Sequence, residues 1–172
     1  PAIAARSIQE DRHPVGMPVL LFFGDILCFS GAGRREPREA KYNMSMKVYQ
    51  AGIDIGSTTV KLVVTDEEGR TLFSDYRRHC ARTQETLADL LRDVRGRLGS
   101  CCLRVGMTGS GALSLADALH VTFEQEVVAV AEALEAAAPG TDVAIELGDE
   151  DAKIIYFTGG VEERMNGVCA GG

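Results

Sequence analysis

Residues 51–69 read Ala-Gly-Ile-Asp-Ile-Gly-Ser-Thr-Thr-Val-Lys-Leu-Val-Val-Thr-Asp-Glu-Glu-Gly, and this stretch decides the fold. Val48, Ile53 and Ile55 on one side, with Val60, Leu62, Val63 and Val64 on the other, have the β-branched content of two short strands. Gly56-Ser57-Thr58-Thr59 supplies the bend between them. Asp54 falls near the end of the first strand, where burying a carboxylate is costly unless it has a partner or a task. Gly56, three hydroxyl residues and Lys61 follow it. That set suits a loop that wraps phosphate: backbone N–H donors, hydroxyl donors, a cation, and an acid able to hold Mg²⁺ through water. An ordinary hairpin with a polar turn is the plain alternative.

The pattern occurs twice. Ile53-Asp54-Ile55-Gly56-Ser57-Thr58-Thr59-Val60-Lys61 aligns with Ile145-Glu146-Leu147-Gly148-Asp149-Glu150-Asp151-Ala152-Lys153 at a constant offset of 92 positions. Acid, glycine and lysine coincide in the pairs Asp54/Glu146, Gly56/Gly148 and Lys61/Lys153. Self-similarity of this kind argues for two related units. Two such hairpins facing each other would clamp the phosphates of one nucleotide from both sides.

The segments DIGSTTVK (from Asp54), MTGSGALSLA (from Met107), QEVVAVA (from Gln125), IELGDEDAKIIYF (from Ile145) and MNGVCAGG (from Met165) together resemble a known family. They are similar to the activator ATPases of 2-hydroxyacyl-CoA dehydratases and benzoyl-CoA reductases. The resemblance extends to the activase-like domain that opens much longer multidomain proteins, and it runs from about Met46 to Gly172. It implies an α/β fold of the actin/Hsp70/sugar-kinase-like ATPase type, built of ribonuclease H-like lobes. Residues 46–140 would form a complete first lobe, and 141–172 the start of a truncated second.

For the site, the resemblance implies ATP with Mg²⁺. Asp54 would position the metal, while the Gly56 backbone with Ser57, Thr58 and Thr59 would hold the terminal phosphates. Glu146 or Asp151 would orient metal or attacking water. Lys61 and Lys153 are weaker candidates, because a strand lysine commonly extends its head group to solvent. The Gly109 turn would lie near the cleft between lobes, and both nucleotide contact and simple turn geometry stay open for it. In the second hairpin the family has two glycines where this chain has Gly148-Asp149. A carboxylate close to phosphate is repulsive by up to about 4 kcal/mol at intermediate dielectric.

In the resembling family the cysteine of the MNGVCAGG segment, Cys169 here, binds a [4Fe–4S] cluster shared between two subunits, each giving two thiolates. The second ligand would lie beyond Gly172, so the chain looks cut short. The implied activity is ATP hydrolysis driving an electron from that cluster onto a dehydratase or reductase partner, with a homodimer as the full-length form. A small-molecule kinase of the same superfamily and a non-catalytic interaction module are the alternatives. Shorter activators carry a histidine shortly after the Glu126 position, where this chain has Val130.

Composition limits the remaining possibilities. The chain has 172 residues, 45% hydrophobic, which suffices for an ordinary core. Net charge −7 and the absence of Trp disfavour nucleic acid or an anionic membrane as partner. Cys28, Cys80, Cys101, Cys102 and Cys169 show no C-x-x-C spacing, which points to a reducing cytoplasm and to core packing for the adjacent pair. Residues 1–45 hold four of the five prolines and read as an extension with little fixed structure. Val19–Phe29 is apolar but too short to span a bilayer.

A third strand is expected over Arg70–Arg77, then a helix capped by Thr83 with Leu87, Leu90, Leu91, Val94 and Leu98 on one face. Cys101–Met107 should be a strand, Ser114–Leu119 a short helix, and Glu124–Ala138 an amphipathic helix whose early carboxylates, Glu126 among them, serve the helix dipole. Three strands should follow between Asp142 and Met165. His13, His79 and His120 show no clustering and receive no role.

Overall fold

The structure, a computed structural model, describes residues 20–23, 26–29, 46–147, 152–157 and 162–165. Its first sheet grows from the central hairpin: β3 (Val48–Ile55) pairs antiparallel with β4 (Thr59–Thr65), and β4 with β5 (Thr71–Arg78). Helix α1 (Thr83–Leu98) then crosses over, and β6 (Cys102–Thr108) returns parallel to β3. A parallel return needs such a crossover, since no tight turn can join two parallel strands. On the core side of this sheet lie Ile53, Ile55, Val60, Leu62, Val64, Leu103, Val105 and Met107, every second residue of each strand. Leu87, Leu90, Leu91 and Val94 of α1 cover them at the three-four spacing of one helical face. Truncating a residue as enclosed as Leu90 to Ala would cost about 2–5 kcal/mol.

Helix α2 (Leu113–Leu119) and the two-residue strand β7 (Thr122–Phe123) follow, β7 pairing with β6 at Gly106 and Met107. Helix α3 (Glu126–Ala137) leads to an antiparallel sheet, β8 (Val143–Leu147), β9 (Ala152–Tyr156) and β10 (Glu162–Met165), in the order β10-β9-β8. Ile155 of β9 is fully buried, whereas Ile145 and Leu147, on the other face, are 66% and 80% exposed.

Several expectations are corrected. Thr83 is the first residue of α1 and caps nothing; Arg82 holds the cap position without a side-chain bond. Helix α3 buries none of its residues, although the sequence leads one to expect an amphipathic helix with an enclosed apolar face here. Part of the stretch expected to lack fixed structure is paired: β1 (Leu20–Phe23) and β2 (Ile26–Phe29) form a hairpin, and β2 joins β6 antiparallel. Leu27 and Cys28 are buried there. Cys28 lies directly opposite Cys102 and is joined to it by a disulfide, so these two are not free core thiols. Cys101, buried on the other side of the strand, remains a thiol, and burial raises its pKa.

Candidate functional site

The β3–β4 bend is a tight, internally bonded loop. The Gly56 N–H donates to the Thr59 carbonyl at 3.0 Å, and the Ile55 carbonyl accepts from the Gly111 N–H at 2.8 Å. The Thr58 carbonyl accepts from the His79 N–H at 3.0 Å. The His79 ring lies below the loop, its Nε2 3.3 Å from the Gly56 carbonyl. Of the three hydroxyl residues, Ser57 is exposed, Thr58 half-buried and Thr59 buried. Ser57 and Thr58 are therefore the hydroxyls able to meet a ligand, and Thr59 belongs to the loop's own packing.

Asp54 and Lys61 face each other across β3 and β4, and the ammonium is 2.7 Å from Oδ2. This bond to Asp54 raises the Lys61 pKa against a smaller opposing effect of burial. Lys61 is about half exposed, so the pair contributes only about 0–1 kcal/mol to the fold. The other carboxylate oxygen of Asp54, Oδ1, is buried and has no hydrogen-bond partner. Thr108, the register neighbour of Asp54 in β6, likewise has a buried and unpartnered Oγ1. Two orphaned polar atoms thus sit side by side at the carboxyl ends of two parallel strands, the usual ligand position of open α/β sheets. Sequence reading passed over Thr108, and only the strand register reveals it.

The Gly109 turn packs onto this acid. With φ at +98°, a Cβ there would lie 2.4 Å from both Asp54 Oδ1 and the Ile55 carbonyl oxygen. No side chain fits, so turn geometry alone requires this glycine.

The second hairpin repeats the first. Glu146 faces Lys153 across β8 and β9, as Asp54 faces Lys61, with Nζ 4.0 Å from the Glu146 carboxylate. Lys153, however, is buried, not extended to solvent as a strand lysine was expected to be, and its ammonium lies 2.5 Å from Glu126 at the start of α3. Desolvation pushes the Glu126 pKa up, but hydrogen bonds from Lys153 and the Glu146 carboxyl group outweigh it and hold the group below its ordinary value. Glu126 thus belongs to a cluster of two acids and a lysine, beyond the helix-dipole role read from sequence. Its separation of 27 residues from Lys153 leaves no local signal. Gly148, Asp149, Asp151 and Cys169 lie outside the described residues.

A Mg²⁺ ion takes few protein ligands and keeps several waters. The orphaned Asp54 Oδ1 and Thr108 Oγ1 fit that requirement as acceptors for metal-bound water. No group of three or more His, Cys, Asp or Glu able to hold an ion occurs among the described residues. For an iron–sulfur cluster the described cysteines do not fit: two form a disulfide, Cys101 is buried, and Cys80 is exposed elsewhere. A cavity of about 290 Å³ is lined by Ala131, Leu134, Glu135, Ala138, Gly140, Thr141 and Phe157, none of them a residue of this site.

The two sheets and their helices have the α/β fold of the actin/Hsp70/sugar-kinase-like type. Among solved structures it is similar to the activator of 2-hydroxyisocaproyl-CoA dehydratase from Clostridium difficile with bound ADPNP. The TM-score is 0.55 at 24% identity, over 69% of this chain and 45% of that one. It is also similar to component A of (R)-2-hydroxyglutaryl-CoA dehydratase from Acidaminococcus fermentans: TM-score 0.57, 20% identity, 72% and 49% of the two chains. The ethanolamine utilization protein EutJ from Carboxydothermus hydrogenoformans gives 0.55, 18%, 71% and 53%. The chain thus spans about half the length of these structures. No protein-family model matches it, and no curated protein does.

Proposed function

We propose that the chain is the nucleotide-binding part of an activator ATPase that serves a 2-hydroxyacyl-CoA dehydratase or benzoyl-CoA reductase partner. The carrying observation is the pair of hairpins with one acid facing one lysine at equal offset, Asp54–Lys61 and Glu146–Lys153. The activator with bound ADPNP among the similar structures supports ATP as the ligand. In this reading Asp54 and Thr108 would hold Mg²⁺ through water, and Ser57 and Thr58 receive the terminal phosphates, while Gly56, whose N–H is bonded to the Thr59 carbonyl, shapes the turn that presents them. Thr59 keeps the loop's shape. Lys61 and Lys153 hold the carboxylates in place and supply positive charge. Glu146, with Glu126 beside it, orients water for attack on the phosphoryl group; Asp151, Gly148 and Asp149 complete the second hairpin. Mg²⁺, when bound, neutralises charge that builds on the phosphate oxygens.

The same reading assigns Cys169 to a [4Fe–4S] cluster shared in a homodimer, with low-potential electron transfer to the partner as the outcome of hydrolysis. The described residues supply no second thiolate, and no step is derived through the cluster. Residues 46–140 are proposed as the first lobe and 141–172 as the start of the second. No helix among the described residues is long and apolar enough to cross a membrane.

Calorimetry with Mg-ADP and Mg-ADPNP tests the nucleotide reading. The chain should bind both, and Asp54→Asn should bind at least tenfold more weakly while unfolding at the same temperature. A folded wild-type chain that binds neither, or a folded Asp54→Asn with unchanged affinity, would overturn the assignment.

A further inference from the structure

His79 is buried at the end of β5, and neither the resemblance nor the paired-hairpin reading uses it. Its ring makes two bonds of opposite sense. Nδ1 accepts from the Ala81 N–H at 3.1 Å, so the proton of the neutral ring sits on Nε2. Nε2 then donates to the Gly56 carbonyl at 3.3 Å. The backbone of the same residue holds the other side of the loop, through its N–H to the Thr58 carbonyl. The ring is fixed from behind by an uncommon backbone: Cys80 and Ala81 are both left-handed, with φ of 47° and 63°, and the Arg82 N–H closes the turn onto the His79 carbonyl at 2.7 Å. Consecutive non-glycine residues in that region persist only where surrounding structure enforces them, and such residues gather at functional loops.

We propose that His79 is a positioning residue for the phosphate loop: by engaging the carbonyls of Gly56 and Thr58 together, it sets the loop conformation that receives the nucleotide phosphates. The link to nucleotide rests on the function proposed above; the hold on the loop does not. Together, Ile55, Gly56, Thr58 and Thr59 have their carbonyls bonded inside the fold. This fixes the loop's path at every peptide but one. Without the ring, the Gly56 peptide is free to turn its oxygen toward an incoming phosphate.

Two substitutions separate the two ring nitrogens. His79→Gln places an amide donor where Nε2 stands, and His79→Asn places an acceptor where Nδ1 stands. In the full chain, ¹⁵N NMR should show the neutral Nε2–H tautomer for His79. The Gly56 amide, whose N–H closes the loop onto the Thr59 carbonyl, should exchange slowly in wild type and His79→Gln, and faster in His79→Asn and His79→Ala. Affinity for Mg-ADPNP should stay near the wild-type value in Gln and fall about tenfold in Asn and Ala, the loss expected for one buried hydrogen bond. Unfolding temperatures identify any variant that merely fails to fold, and the tautomer test requires no variant. An Nδ1–H tautomer, or loop exchange unchanged in folded Asn and Ala variants, would overturn the proposal whatever the nucleotide does. Loop exchange that follows the expected order in a chain that binds no nucleotide would keep the clip and instead overturn the ATPase reading.

Discussion

Gly109 shows how narrowly a single residue controls the proposed metal site. Its φ of +98° lies in the region that L side chains rarely adopt, and its missing Cβ is what lets the turn press on Asp54. Gly109→Ala meets the Ile55 backbone oxygen as well as the Asp54 carboxylate, so moving a side chain alone cannot relieve the contact. The conformational strain alone is on the order of 1–3 kcal/mol, with displacement of Asp54 added. Thermal unfolding should show that loss, and nucleotide binding should weaken beyond it. An alanine variant with wild-type stability and affinity would mean that the turn does not touch the acid. Asp54 and Thr108 offer the complementary lesson. Each has a buried oxygen without a partner, and a buried polar atom left unmade costs about 1–3 kcal/mol. Binding that satisfies both atoms would recover that cost.

At the scale of elements, one ion pair ties α3 to the second sheet. Helix α3 buries no residue of its own, so its Glu126 bond to the enclosed Lys153 ammonium carries unusual weight. The Glu126 pKa is lowered from 4.5. A carboxylate with a depressed folded pKa contributes stability that is present above the unfolded value and lost as pH falls through the folded one. The tie should therefore hold at neutral pH and loosen in acid below about pH 4.5, the ordinary value for this group. Protection of the amides at the start of α3, taken as the exchange rate relative to the intrinsic rate at each pH from pH 6 to pH 3, should fall in that window. Glu126→Gln removes the dependence and leaves protection low throughout. A wild-type helix end equally protected at both extremes would show that the pair does not anchor α3.

The whole molecule exposes apolar surface on its second sheet. Val143, Ile145 and Leu147 line the outward face of β8 at 44%, 66% and 80% exposure. Residues so open contribute little to the fold, and substitutions away from packed features usually change stability by less than about 0.5 kcal/mol. Ile145→Lys with Leu147→Gln should leave the unfolding temperature unchanged and raise the concentration at which the chain begins to self-associate, read by light scattering. A large drop in stability would mean that this face packs against something within the chain. The disulfide acts at the same scale, because Cys28–Cys102 joins residues 74 positions apart and fastens the β1–β2 hairpin to the edge of β6.

By itself the sequence determined the strands β3, β4, β5 and β6, helix α1 and the loop between β3 and β4. Alternation of β-branched residues in β3 and β4 has period two, and the leucine spacing of α1 has the helical period, so local physics dictated both. The 92-residue offset likewise announced that acid and lysine recur, and antiparallel pairing turned each recurrence into a facing pair. What only the tertiary structure decided are contacts between segments with no local signal for each other. Glu126 reaches Lys153, Thr108 stands beside Asp54, His79 holds the Gly56 loop, and Cys28 meets Cys102. Each depends on register and crossover, which place distant residues together through burial of the whole sheet and not through the preference of any short stretch.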